Sequence, residues 1–199
     1  MSDALICHRP ACDAPLRLGG RGRIPQYCST RCRVAAHRAA RPPRELIELP
    51  RWARYANTSR RGRMSRRPIT ATGAAASSTN PATWATYAAV RDAKAGHGVG
   101  FMLGEGIGCI DLDKCLTNGR LESWAQAIVD RCPATYIEVS PSGTGLHIFG
   151  YLTPAPGRGQ RAGVRIEVYS RDRFMTVTGR RWNGAPSTLA DITELTATL

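Results

Sequence analysis

Residues 109–115 read Cys-Ile-Asp-Leu-Asp-Lys-Cys, and this stretch predicts a strand with two carboxylates on one face. Because strand side chains alternate between faces, Asp111 and Asp113 share one face while Ile110 and Leu112 point into a core. Two like charges at this spacing repel, and a bound divalent cation such as Mg²⁺ or Mn²⁺ would relieve the repulsion. The alternative is a pair of solvated carboxylates on an exposed strand face.

The sequence around this stretch predicts short strands mixed with a few helices. One helix is expected to begin at Asn80-Pro81, where Asn is a good N-cap and Pro suits the first turn, and another is expected over 121–131. The combination predicts an α+β domain with a mostly antiparallel sheet. The predicted strands cover residues 51–55, 99–103, 108–113, 136–139, 146–149, 164–169 and 174–177.

The composition points to a protein that does not enter membranes. The 199 residues contain no apolar run of the roughly 18 residues that a membrane span needs, and the N-terminus lacks the apolar stretch of a signal peptide. We therefore expect a cytoplasmic location and no membrane partner. The length is enough for one full domain with a real core plus a small module.

The positive charge is concentrated in the first third of the chain. Residues 1–67 hold 16 Lys+Arg against 4 Asp+Glu, whereas residues 68–199 hold 12 against 11. A basic segment beside a nearly neutral body is typical of proteins that bind the phosphate backbone of nucleic acid. Within it, the stretch 60–68 is so rich in arginine, with a glycine interruption, that it predicts a flexible basic loop.

Four of the seven cysteines form two close pairs near the N-terminus. Cys7 and Cys12 are separated by four residues, and after fifteen more residues Cys28 and Cys32 are separated by three. This pattern predicts one structural Zn²⁺ ion, which would supply the folding energy of a segment too short for its own core. Free thiols are the alternative, and His37 could replace one cysteine. The remaining cysteines, at 109, 115 and 132, are expected to be free thiols.

The second cysteine pair opens a basic helix that ends before Pro42-Pro43. The two prolines predict a boundary between a zinc-binding basic module over 1–41 and a second domain over 42–199. Arginines on the helix and in the basic loop suit contact with phosphates, although a merely solvated basic helix is the alternative. The residues expected to bind nucleic acid are Arg31, Arg33, Arg38, Arg60, Arg61, Arg63, Arg66 and Arg67.

Two further segments repeat or complement the pattern of residues 109–115. The turn 140–145, rich in Ser and Gly, leads into a strand that carries His147, and such turns suit phosphate oxygens. Glu167 lies between Ile166 and Val168, so strand parity places its carboxylate away from the core. A hairpin turn, a structural histidine and a surface glutamate are the alternatives for each segment alone. Together, three carboxylates supply enough ligands for a two-metal site.

In order and spacing, Asp111-Leu112-Asp113, the segment 140–147 and Glu167 resemble the three motifs of the archaeo-eukaryotic primase superfamily. The match is best with the short primase-polymerase domains of phages and plasmids, and it runs from about residue 52 to residue 190. It includes the segments 83–87, 98–101 and 173–179. Two positions depart from the usual pattern: Gly145 stands where many members have Ser, and the third acid is Glu rather than Asp.

The resemblance implies a nucleotidyltransferase built on an RNA-recognition-like sheet. It implies that Asp111, Asp113 and Glu167 hold two Mg²⁺ or Mn²⁺ ions and that His147 contacts the phosphates of the incoming nucleotide. The cysteine-rich N-terminus resembles, more loosely, the small zinc modules that accompany such proteins. The residues expected to bind the nucleotide are Ser140, Ser142, Gly143, Gly145, His147 and Arg173.

The leading hypothesis is therefore a template-dependent primase-polymerase that acts in DNA replication. Its partners would be a single-stranded DNA template, nucleoside triphosphates and a separate replicative helicase, since the sequence has no Walker-type phosphate loop. A catalytically inactive, nucleic-acid-binding replication accessory is the alternative from another class. A metal-dependent nuclease is a third option, in which the Ser- and Gly-rich turn has less purpose.

Overall fold

The computed structural model divides the chain into two units, residues 1–41 and 42–199. It describes residues 6–7, 12, 14–16, 25–39, 41–60, 62–161 and 164–199. None of the helices in these ranges is long and apolar enough to span a bilayer.

The first unit combines a short ribbon with a helix. Ile6 pairs with Pro15, and the Cys7 N–H donates to the carbonyl of Ala14 at 3.0 Å. Helix α1 (Thr30–Ala39) follows, and the Ser29 hydroxyl caps its first turn by accepting from the N–H of Cys32 at 3.1 Å. One cysteine pair therefore lies on the ribbon and the other at the helix start, as the spacing predicted.

The second unit is an α+β domain in which every pairing between described strands is antiparallel, which confirms the predicted class. The RNA-recognition-like character of the sheet stays a prediction. The strands are β1 (Trp52–Arg60), β2 (Arg63–Ile69), β3 (Gly98–Met102), β4 (Ile107–Asp113), β5 (Leu116–Thr117), β6 (Arg120–Leu121), β7 (Ile137–Val139), β8 (Leu146–Tyr151), β9 (Arg158–Arg161), β10 (Val164–Tyr169) and β11 (Phe174–Val177). The helices are α2 (Arg44–Ile47), a 3₁₀ turn (Pro81–Thr83), α3 (Tyr87–Asp92), α4 (Ser123–Arg131) and α5 (Thr193–Ala197).

The strands form two main sheets rather than one. The first has the order β11-β3-β1-β2, and the second has the order β7-β8-β4-β10-β9, with a separate small hairpin of β5 and β6. Strand β4, which carries the two aspartates, is therefore the central strand of the five-stranded sheet. Its buried side chains Ile110 and Leu112 pack with Ile148 of β8 and Ile128 of α4 in one core. The opposite face of the same sheet is left for polar residues.

The basic stretch 60–68 is not a flexible loop, and that prediction was wrong. It forms the turn and second strand of a hairpin, in register from Arg60 opposite Arg63 to Arg54 opposite Ile69. Gly62 has φ +74°, a conformation that favours glycine in so tight a turn. Pairing with β1 satisfies the backbone, so the strand tolerates its arginines because they project to solvent while Ile69 is buried.

The predicted helix at Asn80-Pro81 is divided into two pieces. Asn80 caps the 3₁₀ turn as expected, but Ala85 then exchanges two backbone hydrogen bonds with Trp52, at 2.8 and 3.0 Å. That pairing holds residues 84–85 extended, and α3 begins afresh with Thr86 as its N-cap. Val90 still faces the core, as its position in the apolar pattern predicted.

Candidate active site

Four ionisable side chains form one row across the five-stranded sheet. Asp111 of β4 is paired with Glu167 of β10 on one side and with His147 of β8 on the other, and His147 is paired with Glu138 of β7. Residues paired directly across antiparallel strands project from the same face. The sheet therefore brings Asp111, His147 and Glu167 together as the sequence predicted, and it adds Glu138, which the sequence reasoning missed.

Each of the three predicted carboxylates lies near a cationic side chain. Asp111 Oδ1 is 3.8 Å from His147 Nε2, Asp113 Oδ2 is 3.7 Å from Arg165 Nη1, and Glu167 Oε2 is 3.8 Å from Arg173 Nη2. Burial raises the pKa of Asp111, and the nearby carboxylates of Asp113 and Glu167 act in the same direction against His147. A carboxylate in this position gains from any additional positive charge.

The donor set fits hard divalent cations, because all three side chains offer carboxylate oxygens. The side chains do not converge on one point: within the described residues, only the four N-terminal cysteines place three or more such ligand groups close together. Glu167 accepts a hydrogen bond from the Tyr169 hydroxyl at 3.1 Å and is turned toward Arg173. A β-bulge interrupts the pairing of β10 with β9 between Val164 and Glu167, and such bulges re-aim side chains.

The Ser- and Gly-rich turn is held against the aspartate strand. Ser140 N–H donates to the carbonyl of Gly145, and Gly143 N–H donates back to the Ser140 carbonyl, so the turn closes on itself. A Cβ at Gly145 would lie 2.7 Å from the Leu112 carbonyl oxygen and 3.1 Å from Ser140 Oγ. A side chain has no room at position 145, and the hydroxyl nearest to it is that of Ser140, which is 3.0 Å from Ser142 Oγ.

A cleft of about 450 Å³ opens over this face of the sheet. It is lined by the two aspartates, by His147 and Arg173, and by the turn serines Ser140 and Ser142. The opposite wall comes from the four-stranded sheet and includes Arg66 of the basic hairpin. Glu167 is not among the described residues that line the cleft. The cleft thus presents carboxylates, hydroxyls and cations side by side, which suits a metal-bound polyphosphate.

His147 is buried, with a side chain only 5% exposed, and contacts a carboxylate through each ring nitrogen. Its Nδ1 is 3.3 Å from Glu138 Oε1, and its Nε2 is directed to Asp111 and the cleft. Burial alone would lower the pKa of His147, but the hydrogen bond to Glu138 and the charges of Asp111 and Glu138 outweigh it and raise the pKa. The ring is thus suited to act as a cationic donor.

Sequence reasoning missed Glu138 because a surface glutamate on a strand is common. The residue is completely buried, and its carboxylate accepts hydrogen bonds from the Tyr136 hydroxyl and from the N–H groups of Thr178 and Gly179. A signal was available: Glu138 has the strand parity of Tyr136, a large residue expected to be buried.

The four N-terminal cysteines converge as their spacing predicted. Their sulfur atoms all lie within 4.8 Å of one another, and Cys12 Sγ is 3.8 Å from Cys28 Sγ and 3.7 Å from Cys32 Sγ. Zinc–sulfur bonds of about 2.3 Å in a tetrahedron place sulfurs about 3.8 Å apart, so the spacing fits Zn²⁺. Sharing a hydrogen with Cys32 raises the pKa of Cys28 to about 12, whereas Ser29 lowers the pKa of Cys32.

The arginines predicted to bind nucleic acid fall in two places. Arg31 and Arg33 are exposed on α1, and Arg38 belongs to the same helix. Arg66 and Arg67 are exposed on β2, on alternate faces of the strand. Arg60 and Arg63 pair beside the hairpin turn, and Arg61 lies outside the described residues.

Comparison with known proteins gives one relevant similarity and no matching family model. The chain is 35% identical over 137 residues to the DNA primase-polymerase of Nitratiruptor phage NrS-1. The match covers 62% of this chain but only 18% of the phage protein, so the chain spans less than a fifth of that relative's length. The similarity suggests a primase-polymerase relationship.

Proposed function

We propose that the protein is a template-dependent nucleotidyltransferase that synthesises primers or extends DNA in replication. The observation that carries the proposal is the row formed by Glu167, Asp111 and His147, with Asp113 beside it on the cleft. These residues stand in the order that the primase resemblance requires, and the similarity to a phage DNA primase-polymerase supports the same reading. Residues 42–199 would be the catalytic domain.

In this proposal Asp111, Asp113 and Glu167 hold two Mg²⁺ or Mn²⁺ ions. When bound, such ions activate an attacking hydroxyl and neutralise the charge that develops on a phosphoryl group. His147 would donate from Nε2 to a phosphate oxygen of the incoming nucleotide. Arg173 would add a second positive contact, and the hydroxyls of the turn 140–145 would complete the phosphate site.

The template would be single-stranded DNA, bound mainly through its phosphates. Arg66 lines the cleft and belongs to a rigid hairpin, so it would contact the strand close to the reacting atoms. The first unit, with one Zn²⁺ held by Cys7, Cys12, Cys28 and Cys32, would add the contacts of Arg31 and Arg33 on α1. Backbone contacts of this kind give affinity without sequence reading. A separate helicase would open the duplex.

The test is incorporation of labelled nucleotides on a single-stranded template with Mg²⁺ or Mn²⁺. Asp113→Asn should abolish incorporation while leaving the fold intact, because the residue is half exposed and its neutralisation removes a like charge beside Asp111. Asp130→Asn is the matched control, since Asp130 lies exposed on α4 and contacts Gln126. Binding of single-stranded DNA without any incorporation by the wild-type protein would overturn the proposal in favour of an inactive accessory.

A further inference from the structure

Glu138 is a buried carboxylate with no place in the cleft. Its side chain is completely shielded from solvent, yet burying an ionised carboxylate is costly unless several donors surround it. The Tyr136 hydroxyl donates to Oε2 at 2.8 Å, and the Thr178 and Gly179 N–H groups donate at 3.0 and 2.9 Å. Burial and the adjacent carboxylate raise the pKa of Tyr136, so its hydroxyl stays a donor.

The remaining contact of Glu138 is the one with consequences for the site. Oε1 lies 3.3 Å from Nδ1 of His147, and an imidazole held at Nδ1 has its Nε2 on the opposite side of the ring. That nitrogen faces Asp111 and the cleft. A carboxylate only accepts hydrogen bonds, so Nδ1 must carry the hydrogen, and the contact fixes both the ring's orientation and the nitrogen that bears this hydrogen.

The same carboxylate also fixes the opposite wall of the cleft. Thr178 and Gly179 follow directly after β11, and Thr176 at the end of that strand lines the cleft. Strand β7, which carries Glu138, belongs to the five-stranded sheet, whereas β11 belongs to the four-stranded sheet. One buried side chain therefore links the two sheets and the histidine between them.

We propose that Glu138 is a positioning residue that holds the His147 ring in the orientation needed to contact the nucleotide. This inference rests on the proposed function for the meaning of nucleotide use, but the geometry of the pair does not depend on turnover. Glu138 lies outside the cleft lining and acts only through His147 and the segment after β11. Its loss should affect nucleotide handling and leave template binding alone.

The first test compares Glu138→Gln, His147→Ala and the double variant in the full-length chain. Carboxylate partners of histidines in metal sites are typically worth roughly 10- to 100-fold, so Glu138→Gln should lower kcat/KM for the nucleotide by about that factor. Template affinity should stay within about twofold. In the His147→Ala background, Glu138→Gln should cost almost nothing more, because the two residues act as one unit. Multiplying effects, or equal losses of template affinity, would overturn the proposal.

A second measurement covers the case in which Glu138→Gln fails to fold. Nitrogen NMR of histidine-labelled wild-type protein, with the His147 signal assigned through His147→Ala, should show a hydrogen on Nδ1. Glu194→Gln, an exposed change on α5, serves as the charge-matched control and should leave that signal in place. An Nδ1 without hydrogen in the wild type would overturn the proposal. This readout needs no incorporation, so failure of the proposed function is detected separately by the wild-type activity assay.

Discussion

Substitution of Gly145 tests how closely the turn packs on the aspartate strand. A Cβ at this position would lie 2.7 Å from the Leu112 carbonyl oxygen, a distance that real Cβ atoms do not show, and 3.1 Å from Ser140 Oγ. Backbone must therefore shift. Because Leu112 stands between the two aspartates, the shift would displace the carboxylates as well as the turn.

The magnitude follows from two opposing terms. Overpacking of a rigid site costs about 1–3 kcal/mol, whereas replacing glycine by alanine stabilises by about 0.4–1 kcal/mol through the unfolded chain. The steric term wins, so Gly145→Ala should lower the free energy of unfolding by about 1–2 kcal/mol. For a chain of this size that corresponds to a melting temperature lower by about 2–8 °C.

Thermal and urea unfolding of Gly145→Ala and of a control variant measure the effect. Gly159→Ala is the matched control on β9 of the same sheet, because its Cβ would meet Glu167 Cγ at an ordinary 3.7 Å. Nucleotide incorporation should fall together with stability in Gly145→Ala. If Gly145→Ala is as stable as the wild type, or if both glycine variants lose equally, the packing argument is refuted.

Three further predictions concern the metal ions and the basic hairpin. Without metal, the wild type should lose stability relative to Asp111→Asn as the pH rises above about 3.9, the ordinary Asp value, because a raised folded pKa favours the neutral form; divalent cations at about ten times their Kd should stabilise the wild type by about 1.4 kcal/mol and the variant less. Purified protein should contain one Zn²⁺ per chain by elemental analysis, and Cys32→Ser should lose it. Arg66→Ala should lower both nucleotide incorporation and the slope of log affinity against log salt, by about 0.7 for each single-strand phosphate contact, whereas Arg67→Ala should lower the slope alone.

The parts of the site that are local in sequence could be predicted. Strand alternation placed Asp111, Asp113 and Glu167 on a polar face because a period of two needs only neighbouring residues. The cysteine cluster followed from spacing for the same reason. The pairing of these strands into one row, with Asp111 between His147 and Glu167, was expected from motif order and is visible only in the register.

The parts that depend on distant partners could not be predicted. The basic hairpin was mistaken for a loop because its arginines argue against a core element, while its pairing with Trp52–Arg60 satisfies the backbone. Glu138 was missed because the donors that allow its burial, Thr178 and Gly179, lie forty residues further along the chain. Helix α3 was started too early because Ala85 pairs with Trp52 across more than thirty residues.

The cationic partners of the carboxylates bear on the order in which ligands arrive. His147, Arg165 and Arg173 each lie 3.7–3.8 Å from one acidic side chain, so opposite charges nearly balance before any ion is bound. A strongly negative cleft would repel a triphosphate until metal had entered. Since this cleft is close to neutral, we expect the nucleotide to be able to deliver its own cation, with the three positive side chains turning from carboxylate to phosphate as it enters.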